Sequence, residues 1–398
     1  NSNTAVGINC LTANTTASNN TAMGNYALGA NTTGDNNVAF GALAGDALTT
    51  GSGNIFIGNN AGSAQTTASN NVIIGRNAGD AITTGHTSVL LGQNAGSAMT
   101  TASENVLIGN NVAAALTTGA QNIIVGDNAG AGAAVTGAAN TIVGDNAGYA
   151  LTSGAGNVFL GATSGNAITT GSNNVFIGYL AGDANTTASG NVAVGHAALG
   201  ANTTGSTNTA IGLASGDALT TGNSNTCIGY ESATALTTGT QNWAGGVQAL
   251  YSATTNHGNT ATGNQCLRTG TDFGYNTGSG YECLYNATGS YNTAMGWRAG
   301  KATTSGQYNI YIGPEAGDNI TTGSNNICIG TADGSAVGAA NNIVFGYGIA
   351  GPGDNVVAFG KAGNVIQNTF TSNATWSQAS DERLKTDIKD NTLGLDFI

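Results

Sequence analysis

The chain has 398 residues, of which 64 are glycine and only 2 are proline, and its few charged residues leave a net charge of −12. This acidic balance argues against nucleic-acid binding, which needs a basic face, and against binding to anionic membranes. No apolar run approaches the length of a membrane span, so we expect no membrane insertion.

A short apolar strand closed by glycine recurs along almost the whole chain. Residues 54–58 (NIFIG) show it, and the closing glycine occurs 22 times between Gly7 and Gly360, with a spacing of 17 residues at all but four steps. A fixed period of this length is typical of stacked-coil architectures. We therefore predict an all-β fold for residues 1–360: a parallel β-roll or β-solenoid of about 22 coils.

Each coil is expected to contain two short strands. In residues 54–70 the first strand is Asn54–Ile57, and Gly58 ends it because glycine tolerates the corner conformation. Small residues and a Thr-Thr pair around 61–67 would form the second strand. The asparagine before each first strand lies in register from coil to coil, so stacked side chains are expected to form hydrogen-bonded ladders.

Both faces of the first strand are apolar. Ile55 and Ile57 share one face and Phe56 takes the other, because side chains alternate along a strand. The middle position is never charged in the 22 copies, and we expect its row to form a continuous outer stripe. Such a stripe usually marks an interface. We infer that other copies of the chain cover it, most simply in a homotrimer.

The region 243–285 departs from the pattern, because its strand residues become small while aromatic residues collect nearby. Two interpretations stay open for these aromatic residues. They fill coils whose strand residues have shrunk, or they form a binding surface for a sugar receptor. The candidate binding residues are Trp243, Tyr251, Tyr275, Tyr281, Tyr285 and Trp297.

Nothing in the sequence indicates a metal site, a cofactor or a conventional enzyme. The five cysteines are few, odd in number and without metal-ligand spacing, which is typical of small buried residues. The three histidines lie in different coils, and no nucleophile elbow, phosphate loop or zinc motif occurs. Ice binding by the stacked threonines is disfavoured, because adjacent threonines point to opposite sides of a strand.

The coils resemble the head repeats of trimeric autotransporter adhesins. Residues 208–212 (NTAIG) and, with methionine for isoleucine, residues 20–24 (NTAMG) follow the family pattern N-[ST]-x-[AV]-I-G without its variable position x; the likeness covers about 360 residues. The resemblance implies a left-handed parallel β-roll and a homotrimer. The turn is longer here, with a Thr-Thr-Gly insert, and the family's membrane-anchor barrel and coiled-coil stalk are not seen.

Charge rises sharply beyond residue 380. A connector over 361–379 leads to the run SDERLK at 380–385, which, with LGLDFI at 393–398, resembles the start of the peptidase S74 domain. That domain is the intramolecular chaperone of phage tail fibres and tailspikes. The resemblance implies self-cleavage between Ala379 and Ser380, with Ser380 as nucleophile, Lys385 as its base and Asp381 assisting. A lysine with a lowered pKa can deprotonate a serine. Only the first part of the domain, residues 380–398, is present, and a charged solvated tail is the alternative.

These features favour a trimeric fibre of the phage tail-fibre or tailspike type, which binds a glycan or protein receptor on the host surface and carries a self-cleaving chaperone. Its location would be the virion. The alternative is a trimeric adhesin or filament subunit on a bacterial cell surface, for which the location would be extracellular.

Overall fold

A computed structural model describes residues 2–331, 337–349, 353–370 and 377–378. The described part is all-β, contains no helix, and forms a parallel β-solenoid of about 21 turns with a period of about 17 residues, as predicted. It divides into two compact units, residues 1–257 and 258–398.

Each coil contributes one three-residue strand in most of the chain. In the first unit the strands are β1 Thr4–Val6, β2 Thr21–Met23, β3 Val38–Phe40, β4 Ile55–Ile57, β5 Val72–Ile74, β6 Val89–Leu91, β7 Val106–Ile108, β8 Ile123–Val125, β9 Thr141–Val143, β10 Val158–Leu160, β11 Val175–Ile177, β12 Val192–Val194, β13 Thr209–Ile211, β14 Thr226–Ile228 and β15 Trp243–Gly245. In the second unit they are β16 Thr260–Thr262, β17 Thr277–Ser279, β18 Thr293–Met295, β19 Ile310–Ile312, β20 Ile327–Thr331, β21 Ile343–Tyr347, β22 Val356–Lys361, β23 Asn364–Thr369 and β24 Ser377–Gln378.

Within each unit, consecutive strands pair in parallel with equivalent residues opposite each other. Phe56 of β4, for example, pairs with Ile73 of β5, and Thr277 of β17 pairs with Thr293 of β18. The last strands differ, because β23 runs antiparallel to β22, and β24 runs antiparallel to β23. The segment interpreted as a connector therefore contributes two strands to the sheet of the second unit.

The prediction of a second strand in each coil is wrong for the described coils. Residues 58–70 form turns, and Asn60, Gly62 and Asn70 all have φ near +60°. Left-handed residues at such short intervals cannot belong to an extended strand. The turns are nevertheless held from coil to coil by backbone hydrogen bonds, such as Thr49 N to Thr66 O at 2.8 Å.

The prediction that the middle strand residue faces outward is also wrong. The middle residue is buried in every three-residue strand from β2 to β19, as are the equivalent Cys328 and Val344 of the longer strands β20 and β21. Phe56, Phe159 and Phe176 are completely buried, whereas the first and third residues of their strands are half-buried or exposed. We call the middle positions the inner row and the first and third positions the outer rows. The apolar stripe exists, but the outer rows form it.

The asparagine ladder is confirmed and is almost completely buried. Asn54 accepts the backbone N–H of Asn71 at its Oδ1 (3.0 Å) and donates its Nδ2 to the carbonyl of Ala68 (2.9 Å) and to Oδ1 of Asn37 (3.1 Å). Each asparagine thus satisfies one buried donor and one buried acceptor that the turn leaves unpaired. Ser88 interrupts the ladder, and its Oγ takes over the acceptor role toward the backbone N–H of Asn105 (3.2 Å).

The interior keeps its volume through paired substitutions within a coil. Where the inner-row residue is large, the residue four positions after the closing glycine is glycine: a Cβ on Gly182 would lie 2.7 Å from the ring of Phe176. Where the inner-row residue is alanine or glycine, that position holds a buried leucine in most coils, as in the pairs Ala22 with Leu28 and Gly278 with Leu284. Gly45 and Gly300 are among the exceptions, and there a large inner-row side chain of the next coil, Phe56 or Tyr311, occupies the space. The volume lost in the inner row between 243 and 285 is therefore largely supplied by leucines.

Candidate functional site

Most aromatic side chains of the second unit that were singled out from the sequence lie on its surface. Phe273 is an interior filler, since it is 5% exposed and a Cβ on Gly270 would meet its ring. Tyr281 and Trp297, by contrast, are more than two-fifths exposed. Both directly follow the closing glycine of their coil, a position that we call the trailing corner. Surface aromatic residues of this kind are available to a ligand.

Charged side chains surround Trp297. The Arg298 guanidinium lies over the indole ring at 4.5 Å and donates through Nε to Glu282 at 2.9 Å. Lys301 donates to the same Glu282 oxygen at 2.6 Å, and Glu282 itself is largely buried, with 12% of its side chain exposed. These contacts, first the hydrogen bond from Lys301 and then that from Arg298, lower the pKa of Glu282 below its ordinary value.

Tyr285 lies in the same cluster. Its hydroxyl accepts a hydrogen bond from Arg268 of the preceding coil at 3.0 Å, and the ammonium of Lys301 from the next coil lies 5.8 Å from its ring centre. The cluster thus links three consecutive coils through alternating aromatic and charged side chains. Its three basic groups face one carboxylate and one neutral phenol, so the cluster itself is positively charged. Over residues 258–318 as a whole, four acidic side chains offset the three basic ones in number.

A row of stacked tyrosines lies elsewhere on the coil. Tyr275, Tyr291 and Tyr308 each stand five residues before a closing glycine, a position that we call the leading corner. Their rings are parallel, with centroids 5.2 and 5.0 Å apart. All three are strongly exposed, at 58%, 47% and 55%.

The backbone at the leading corner makes the tyrosine row unusual. Tyr275, Tyr291 and Tyr308 have φ of 61°, 63° and 58°, in the left-handed region that bulky residues rarely adopt. Other coils place Asn, Gly, Ser, Thr, Ala, Gln or Glu there, for example Asn70 and Glu104, with φ also near +60°. Sequence reasoning proposed only Tyr275 of this row for binding. The recurrence of tyrosine at the spacing of the coil was the signal that would have identified the other two.

The six predicted binding residues do not form one group. Trp243 and Tyr251 belong to the first unit, where Trp243 is exposed and Tyr251 is half-buried. In the second unit, Tyr281 and Trp297 share the trailing corner, Tyr285 lies in the charged cluster beside them, and Tyr275 belongs to the leading corner. Their role in binding stays a prediction.

The predicted self-cleavage residues Ser380, Asp381 and Lys385 lie outside the described residues. Four of the five cysteines are buried and Cys10 is half-buried, in line with the packing role expected of them. Among residues whose positions are described, no group of three or more His, Cys, Asp or Glu side chains is placed to hold a metal ion. The same residues include no helix long and apolar enough to span a membrane.

Comparison with known proteins finds no matching family model, no matching curated protein and no matching solved structure. The functional argument therefore depends on the residues of this chain alone.

Proposed function

We propose that the chain is the subunit of a homotrimeric extracellular fibre of the phage tail-fibre type, which presents a receptor-binding surface. The observation that carries this proposal is the pair of apolar outer rows in the first unit. Ile57, Leu91 and Leu160 are 39%, 43% and 46% exposed, and their neighbours along the ladder are equally apolar. Contiguous apolar surface on this scale is typical of an interface.

Identical copies of the chain are the best occupant for this stripe. The rows repeat in register along the coils, so parallel copies place like residues side by side at every level. A strand face only three residues wide is narrow enough for three copies to close around one axis, and closure leaves no apolar face exposed. A trimer of this kind is a stiff fibre suited to holding a receptor-binding surface away from its base.

The native mass of the full chain tests the trimer. We expect a mass near three times 38.9 kDa by light scattering. Replacing the outer-row residues Ile57 and Leu91 by aspartate should yield single chains with an unchanged circular dichroism spectrum. The matched control replaces the exposed Thr50 and Thr84 by aspartate, which adds the same charge outside the stripe and should leave the trimer intact. A wild-type chain that stays monomeric refutes the proposal.

We further propose the self-cleavage that the resemblance of residues 380–398 implies. Ser380 Oγ would attack the carbonyl carbon of Ala379, with Lys385 accepting the serine proton and Asp381 assisting. The Ala379–Ser380 peptide bond would break as the amide nitrogen of Ser380 leaves with a proton from Lys385, and water would then hydrolyse the resulting ester to free the Ala379 carboxylate and the Ser380 hydroxyl. The test is mass spectrometry of the denatured chain, alongside the variant Ser380→Ala. A fragment that ends at Ala379 in the wild type but not in the variant supports the dyad, and an intact wild-type chain contradicts it for this sequence.

A bacterial surface adhesin is the second candidate, because the same coils and the same trimer serve it equally well. Gold-labelled antibodies against the chain distinguish the two locations. Labelling of phage particles supports the tail fibre, whereas labelling of uninfected cell surfaces supports the adhesin.

A further inference from the structure

The strand face changes its polarity between the two units. In β4 to β8 all ten outer-row residues are aliphatic. In β16, β17 and the start of β18 the same rows carry hydroxyl side chains: Thr260, Thr262, Thr277, Ser279 and Thr293. The face that suits dry self-association in β4 to β8 is therefore a polar, solvent-accessible face in β16 and β17. The outer rows become aliphatic again at β19, with Ile310 and Ile312.

Some of these hydroxyl groups have no role in the fold. Thr260, Thr277 and Thr293 are exposed, and within the described residues their hydroxyls form no hydrogen bond. Threonines elsewhere in the same unit behave differently. Thr304 donates its hydroxyl to the carbonyl of Thr321 in the next coil (3.1 Å), and Thr269 donates to the carbonyl of Tyr285 (2.9 Å). The hydroxyls of Thr260, Thr277 and Thr293, which pair in register along the first outer row, thus form a row of donors and acceptors that is open to a ligand.

Aromatic side chains border this hydroxyl row on both sides. The leading corner contributes Tyr275, Tyr291 and Tyr308, and the trailing corner contributes Tyr281 and Trp297. Because six residues separate Tyr275 from Tyr281, the two borders are at most roughly 20 Å apart. In the first unit the corresponding corners around β4 to β7 hold polar residues, such as Asn59 and Asn70. Compared with β4 to β7, the strands β16 to β18 therefore have mainly polar instead of aliphatic outer rows and mainly aromatic instead of polar corners.

The identity of the residues at the leading corner provides a further argument for function. A φ near +60° recurs at this corner from coil to coil, and Glu104 and Gln121 adopt it as the tyrosines do, so the backbone does not require any one side chain there. Tyrosine at three consecutive leading corners, with its rings stacked and exposed, is not needed by the fold but suits a binding surface.

We call the outer-row hydroxyls of β16 to β18 the hydroxyl floor. From this arrangement we infer that the hydroxyl floor and the aromatic borders at its two corners form the binding site for an uncharged oligosaccharide. A sugar offers hydroxyl groups to the threonine floor and apolar C–H faces to aromatic rings. Residues 258–318 carry three basic and four acidic side chains, so no excess of positive charge selects an anionic ligand. The inference depends on the proposed receptor-binding function and assigns it a ligand class and a place.

The test is binding of the full-length chain to an immobilised panel of neutral and acidic oligosaccharides, followed by calorimetric titration with the best neutral binder. The key variant is Thr277→Val with Thr293→Val, which removes two hydroxyls but keeps the side-chain shape and the strand propensity. We expect its affinity to fall by about tenfold or more, since each lost hydrogen bond to a ligand is worth several-fold in affinity. The control Thr304→Val removes a hydroxyl that the fold uses and should leave affinity unchanged.

A second variant, Tyr291→Asn, installs the residue that other coils carry at the leading corner and should weaken binding without destabilising the coil. Binding to acidic sugars alone, or to neutral sugars with unchanged affinity in the valine and asparagine variants, overturns the inference. Attachment of the chain to host cells that survives enzymatic removal of their glycans also overturns it, while leaving the receptor function intact. A chain that binds neither sugars nor cells refutes both.

Discussion

Replacing Asn54 by alanine should open one coil of the ladder locally. The change leaves the buried N–H of Asn71 and the carbonyl of Ala68 without the partners that they have at 3.0 and 2.9 Å. An unsatisfied buried group costs about 1–3 kcal/mol, so we expect a loss of about 3 kcal/mol in local opening free energy. The chain provides its own control, because Asn54→Ser keeps an acceptor as Ser88 does and should cost about half as much.

Hydrogen exchange with mass spectrometry is the suitable assay, because a repeat chain need not unfold in one two-state step. Peptides that cover residues 54–71 should exchange about 100-fold faster in the alanine variant, since each 1.4 kcal/mol corresponds to a factor of ten. Distant peptides should keep their rates. Equal loss of protection in the alanine and serine variants would refute the assignment of the acceptor role.

Three further outcomes are expected. Phe176→Ala should lower the stability by about 3–5 kcal/mol through the cavity that it leaves. Adding Gly182→Leu should recover at least half of that loss in thermal melts, because the pair reproduces an arrangement found in other coils. No recovery would contradict the view that the two positions share one interior volume. Gly58→Ala should prevent proper stacking of its coil, because the added Cβ would lie 2.5 Å from the carbonyl oxygen of Gly75 in the next coil. Hydrogen exchange and proteolysis measure this loss of stacking. The control Gly53→Asn should be tolerated, since asparagine occupies the same corner in other coils. The pKa of Glu282 is lower in the folded chain than its unfolded value near 4.5, so the stability that its ion pairs contribute is present above that value and is lost as the pH falls through the lower folded pKa. In the Glu282→Gln variant the melting temperature should therefore fall less steeply as the pH is lowered below 4.5. An unchanged dependence of the melting temperature on pH would argue against the ion pairs.

The architecture was predictable because the repeat is a strong signal. The period, the closing glycines and the in-register asparagines each have one physical explanation in a stacked coil, and together they indicate parallel strands paired with equivalent neighbours. The second strand was mispredicted because Asn60 and Asn70 were treated as ordinary turn residues. Asparagine adopts the left-handed region more readily than most residues, and several such positions in one coil exclude an extended segment.

The direction of the strand residues could not be decided from alternation alone, since both faces are apolar. The deciding information lay farther along the coil, in the inverse relation between Phe176 and Gly182 and between Ala22 and Leu28. Such a relation arises only when two positions share one interior, because a packed interior has a fixed volume. The same relation explains why the small strand residues around 243–285 need no aromatic filler apart from Phe273.

The site was predictable only in part, because aromatic composition does not reveal which corner of the coil each residue occupies. Tyr281 and Trp297 share one corner, while Tyr275 belongs to a row whose other members were not proposed. The hydroxyl floor between them was missed altogether. Threonine is common throughout the chain, and only the absence of a hydrogen bond at Thr277 and Thr293 distinguishes these hydroxyls from those that hold the fold together.

The repeat also explains how one fold can carry two surfaces of opposite polarity. The closing glycines, the buried asparagines and the inner row determine the coil from within, and none of them constrains the outer rows or the two corners. A substitution such as Ile57 to threonine would change the surface without changing the stacking. The outer rows can therefore vary from aliphatic, which under the proposed function suits association of chain copies, to hydroxylated, which suits the proposed sugar site. In a solenoid of this kind the surface chemistry can change from one coil to the next without altering the stacking.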